Sequence, residues 1–157
     1  MRNEVDMRRF IGMVLVGSVL LLAACSYVTD FVIVNESDAP VTIRYEVKDY
    51  PGPFSPPVDP GVVAASELSE DGRQWNPVQF EVDEASRSVT TRLMPGQALR
   101  IATMNHYSGH DDPTDTYKYQ IRKITISGTR GELNLTDEQA RTSFTKIARS
   151  LYTLTYK

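Results

Sequence analysis

Between Val41 and Lys48 the chain alternates without a break. Val41, Ile43, Tyr45 and Val47 are apolar, while Thr42, Arg44, Glu46 and Lys48 are polar. Successive side chains of a strand point to opposite faces, so a period of two specifies a strand with one buried and one wet face. The pattern returns at Val78, Phe80 and Val82, at Val89, Thr91 and Leu93, and at Leu99, Ile101 and Thr103. Such strands must cover each other's apolar faces. This predicts a mostly β fold, an antiparallel β-sandwich, for which an immunoglobulin-like outline is one candidate although the Cys and Trp spacing of antibody domains is absent.

The segments between these runs carry turn chemistry. Glu36-Ser37-Asp38-Ala39-Pro40 separates the apolar run at 31–35 from the first alternating strand, and the two are expected to form a hairpin. Met94-Pro95-Gly96-Gln97 places Pro and Gly at the central positions of a tight turn. Residues 50–61 hold Pro51, Pro53, Pro56, Pro57 and Pro60, too many missing donors for a helix or a central strand. A crossover between sheets is the expectation there, with a Pro-rich docking segment as the alternative. Residues 62–76 are ambiguous, with a turn or helical turn over 66–72.

Further along, Tyr117, Tyr119 and Ile121 share one parity, while Ile124 and Ile126 have the other. One extra residue near Arg122-Lys123, a β-bulge, reconciles them. Thr136 with Gln139 forms a capping-box pattern that opens one short helix near the C-terminus, its apolar face being Ala140, Phe144, Ile147 and Ala148. Residues 151–156 read as a last strand. Tyr45, Tyr119, Tyr152 and Tyr156 are expected at the edge of the core with wet hydroxyls; Trp75 is the better candidate for an exposed aromatic, although packing is the expectation for it too.

The start of the chain reads differently. Arg2, Arg8 and Arg9 outnumber Glu4 and Asp6, and residues 10–22 then run without a charge. That run is shorter than the roughly 20 residues a spanning helix needs and suits a secretory signal. It ends in Leu22-Ala23-Ala24-Cys25, which resembles the lipobox of bacterial lipoproteins cleaved by signal peptidase II. The resemblance implies removal of residues 1–24, lipidation of Cys25, a short tether over 25–30 and a single domain over 31–157. Ser26 stands where many inner-membrane lipoproteins carry Asp, so a Gram-negative host implies the periplasmic face of the outer membrane. Two or three acyl chains would hold the protein on the membrane, at roughly 0.8 kcal/mol per buried methylene.

The expected mature chain carries 14 Lys and Arg against 18 Asp and Glu, with no basic run, which disfavours nucleic acid as a partner. Cys25 is the sole cysteine, so no intrachain disulfide is available. Catalytic signatures are missing from the sequence: it has no Gly-x-Ser-x-Gly elbow, no His-Glu-x-x-His and no phosphate-cradling Gly-rich loop. No cofactor and no enzymatic activity are expected. The one cluster of candidate ligands is the 105–115 loop, where His106, His110 and Asp111 could serve a metal ion or small ligand, although Gly109 and Pro113 work against convergent geometry. The leading expectation is a non-enzymatic accessory module for an envelope protein, and the alternative is a ligand binder using that loop.

Overall fold

The computed structural model describes residues 27–48, 56, 59–68, 73–106, 120–148 and 150–157. Among them, β1 (Tyr27–Asn35), β2 (Val41–Val47), β3 (Gly61–Ala64), β4 (Asn76–Pro77), β5 (Phe80–Asp83) and β6 (Ser88–Leu93) precede β7 (Gln97–His106), β8 (Ile121–Gly128) and β9 (Gly131–Thr136). The helix α1 (Asp137–Thr142), β10 (Thr145–Ala148) and β11 (Leu151–Tyr156) follow. Two sheets pack as a sandwich. One has the order β10-β11-β1-β7-β3-β4 and the other β5-β6-β2-β8-β9.

The inner faces meet in one core. Phe31 and Ile33 of β1, Ile43 and Tyr45 of β2, Leu93 of β6, Leu99 and Ile101 of β7, and Ile124 and Ile126 of β8 are all fully buried there. β1 is buried on its other face as well: Val32 and Val34 pack with Val63, Ala98 and Leu151 beneath Ala65, Leu68 and Trp75. Burial on both faces explains why this strand is a continuous apolar run and does not alternate.

Several expectations need correction. The first two strands do not form a hairpin, because β1 lies in the sheet with β11 and β7 while β2 pairs with β6 and β8 in the other. Buried Asn35 carries the chain across: its amide donates to the carbonyls of Ala39 (2.9 Å) and Leu93 (3.1 Å), and its oxygen accepts from the backbone and hydroxyl of Ser37. β1 also begins at Tyr27, inside the expected tether, and pairs with β11 in parallel within the otherwise antiparallel sandwich. The helix has the capping box between Thr136 and Gln139 but ends at Thr142. Of its expected apolar face, Ala140 and Phe144 are buried, whereas Ile147 is exposed in β10, because antiparallel pairing with β11 claims that segment.

Two bulges set the parity of the core. On β8, Glu46 faces Lys123 and Val47 faces Ile121, so Arg122 is the extra residue, as the change of parity predicts. On β7, Phe31 faces Ala102 and Val32 faces Arg100, leaving Ile101 extra. Ala102 and Met104 thereby take the core positions that simple alternation assigns to Thr103. The turn at Met94 closes as expected, with Gly96 at φ 72° and the Gln97 N–H donating to the Met94 carbonyl.

Tyr45 departs from the expected wet hydroxyl. It is fully buried, its hydroxyl has no hydrogen-bond partner among the described residues, and burial pushes its ionisation well above the ordinary phenol value. An unpaired buried hydroxyl costs more than the ring gains from it. Tyr45→Phe is therefore expected to raise unfolding free energy by about 1 kcal/mol in urea titrations. A loss of similar size would mean that the hydroxyl is bonded after all. Tyr152 and Tyr156 are buried too, and the Tyr156 hydroxyl donates to the Gly131 carbonyl at 3.1 Å.

Candidate functional site

β1 places Asp30 on the outer face of its sheet, where only 9% of the side chain is exposed. A carboxylate so placed needs partners. The chain returning from the far side of β3 supplies them, with Arg73 Nη2 at 3.3 Å from Asp30 Oδ2 and only 8% of the Arg73 side chain exposed. Burial raises the Asp30 carboxyl above its ordinary value, and this is opposed by the positive charges of Arg73 and Arg100 and by hydrogen bonds from Arg73 and Trp75. Arg73 and Trp75, just before β4 joins the sheet edge, are thus held as a strap over the outer face by this carboxylate.

Trp75 is the centre of the strap. The Arg100 guanidinium, carried by β7, lies 4.9 Å from its ring centroid, a cation–π arrangement. Arg100 Nη2 also donates to the Asp59 carbonyl at 3.4 Å, while its Nε is buried without a partner among the described residues. Desolvation lowers the Arg100 ionisation, against the carboxylates of Asp30 and Asp59. Trp75 and Arg100, with Pro60, Pro77, Val78 and Phe80, line a hollow of about 290 Å³.

β4 ends the first sheet and β5 ends the second, joined by Val78 and Gln79 alone. Phe80 and Val82 share the parity of the inward-facing residues, since they pair with Thr91 and Val89. At the edge, however, they remain 39% and 44% exposed. The sequence reading of a strand with one buried face fails here because β5 is an edge. A second hollow, of about 660 Å³, is lined by Thr42, Val78–Glu81 and Thr90–Arg92 and shares Val78 and Phe80 with the first. The arrangement offers apolar contact, an aromatic plane, guanidinium donors and an open strand edge.

Gly61 holds this geometry. A Cβ there would lie 2.8 Å from Trp75 Cβ, an atom fixed by its own backbone. Gly61→Ala is expected to separate β3 from β4, cost roughly 1–3 kcal/mol and shift the emission of Trp75 to the red. Trp75 is the only tryptophan, so its fluorescence reads the site directly. Unchanged emission and stability would sink this account of the strap.

Of the residues named from sequence, Cys25, His110, Asp111, Tyr117 and Tyr119 lie outside the described residues, as do the 10–22 run and most of the Pro-rich segment at 50–61. His106 closes β7 opposite Tyr27. No group of three or more His, Cys, Asp or Glu among the described residues is placed to hold a metal ion, and no helix among them is long and apolar enough to cross a membrane. Trp75 is brought into the site half-buried. Asp30, Arg73 and Arg100 carry no motif in the sequence beyond a lone carboxylate opening a fully apolar run, and Phe80 reads there only as one apolar position of an alternating strand. No protein-family model, curated protein or solved structure matches the chain. Its function must be argued from the site.

Proposed function

We propose that this protein is a lipid-anchored envelope lipoprotein, held at the membrane through Cys25, that serves without enzymatic activity as an interaction module for another envelope protein. The observation that carries the reading is the flank of the sandwich where Phe80 and Val82 stand exposed on an edge strand beside the Trp75–Arg100 hollow. Apolar side chains at alternate positions of an open edge invite association, and monomeric sandwiches ordinarily protect such edges.

The start of β1 supports the placement. Only Ser26 separates Cys25 from Tyr27, so the anchor lies within about 7 Å of the first strand residue, at roughly 3.3–3.6 Å per residue. The pole of the sandwich bearing Tyr27 then lies against the bilayer. Lys48, His106 and Gln120, from which the 49–58 and 107–119 stretches leave and return, belong to that same pole. β5 runs along the flank and stays accessible to a neighbour in the membrane.

The test places a photo-crosslinking amino acid at Phe80 in living cells and compares the wild-type anchor with Cys25→Ala. A defined envelope protein captured from the anchored form alone is the expected result. No capture from position 80 or 82 overturns the envelope-partner reading. A Cys25→Ala protein that stays membrane-bound and acyl-labelled overturns the anchor.

A further inference from the structure

We infer that the open edge of β5 accepts an extended segment of the partner as an additional strand, and that this segment alternates apolar with basic residues. The inference rests on the docking surface proposed above and names its occupant.

The two sheets present four edges among the described strands, and three of them are protected. β4 is two residues long and contains Pro77, which cannot donate to a ladder. β10 is short, carries Lys146 and breaks register before Ala148. β9 bears a polar network in which Asn134 bonds Glu132 and Thr125, and Glu132 bonds Ser127, and it runs directly into α1. β5 is as short as β10 and carries Glu81 and Asp83, but it has neither Pro nor Lys and no break in register, and it leaves two apolar side chains exposed. Strand addition supplies main-chain hydrogen bonds, and pockets for alternate side chains supply selectivity.

Charge identifies the occupant. Along β5 the residues between and beyond the apolar pair are Glu81 and Asp83, both exposed, with Glu84 next in the chain. An added strand sets its side chains beside these, and opposite charges across strands attract while like charges repel. A second copy pairing antiparallel through β5, in a register that keeps Phe80 and Val82 on one face with their counterparts, would oppose carboxylates to carboxylates, so self-association is disfavoured. A segment with Lys or Arg beside Glu81 and Asp83, and Val, Ile or Leu beside Phe80 and Val82, fits both faces. The hollow under Phe80 has room for one of those apolar side chains.

The experiment uses the full lipidated protein in uncharged detergent, with three fluorescent peptides: Lys-Val-Lys-Val-Lys-Val, its Glu-Val counterpart, and the basic peptide with Pro in place of the central Val. The basic peptide is expected to bind at least about tenfold tighter than the acidic one, and proline is expected to abolish binding. Glu81→Lys should reverse the charge preference, and Phe80→Lys with Val82→Lys should lose the basic peptide; all of these positions are exposed, and circular dichroism confirms the fold. Equal binding of acidic and basic peptides, or of the proline peptide and its parent, overturns the proposal. So does self-association in sedimentation that Phe80→Lys removes. Capture at Phe80 in cells together with peptides that do not discriminate overturns strand addition and leaves the docking surface in place. Peptide discrimination without capture in cells supports the strand site and overturns only the envelope-partner reading.

Discussion

Phe31→Ala is expected to lower the unfolding free energy by roughly 3–5 kcal/mol, which for a domain of this size moves the midpoint down by more than about 10 °C. Phe31 is fully buried at the point where β1, β11 and the end of α1 converge. Its ring meets Phe144 edge-on at 5.4 Å and stacks on Tyr152 at 5.4 Å, so truncation removes its own apolar area and both aromatic contacts. The surrounding strands are held by ladders on both sides and cannot collapse into the cavity, which puts the cost at the upper end of the range. Phe31→Leu keeps most of the volume and should cost less than half as much. Thermal unfolding followed through Trp75 fluorescence measures both. An alanine effect below about 1 kcal/mol would mean that Phe144 and Tyr152 are not packed on Phe31 as described.

Arg73→Met is expected to cost roughly 3–5 kcal/mol near neutral pH, and the deficit should shrink on acidification. Removing the guanidinium leaves the Asp30 carboxylate buried without its closest positive charge. In the native protein burial already raises the Asp30 carboxyl above its ordinary 3.8, and Arg73 is the first of the groups that hold it down. Without Arg73 the folded-state value climbs further while the unfolded value stays put. Between those two values the folded variant binds a proton that the unfolded chain does not, so stability rises as pH falls through the window and is lost again as pH rises. The double variant Asp30→Asn, Arg73→Met removes the charge and should recover much of the loss at pH 7. Urea titrations of the single variant from pH 7 toward pH 4 provide the check. A deficit that does not change with pH would show that Arg73 acts through packing and not through the carboxylate.

The Arg73 result also bears on the site, because the same carboxylate holds Trp75. If the strap loosens, the Trp75 emission should shift before global unfolding. The hollow beside β5 therefore depends on an ion pair on the outer face of the other sheet.

What the sequence determined by itself is what depends on neighbours in the chain. Period-two alternation marked β2, β6 and most of β7, and the Pro-Gly pair marked the turn after Met94, because side-chain direction and turn geometry are set within a few residues. The parity change between Ile121 and Ile124 located the extra residue at Arg122, and Thr136 with Gln139 located the start of the helix. A two-sheet sandwich followed from the number of half-buried strands. What only the tertiary structure decided is which strands meet. Asn35 sends the chain to the other sheet, β11 returns in parallel beside β1, and pairing draws residues 145–148 out of the helix and into β10. The candidate site belongs to this second kind: Asp30 and Arg73 are 43 residues apart, and Phe-Glu-Val-Asp at 80–83 reads locally as any half-buried strand. Alternation states that one face is apolar, but only the position of a strand within the fold decides whether that face is covered: Leu133 and Leu135 on the edge strand β9 pack on the core, while Phe80 and Val82 on β5 stay exposed.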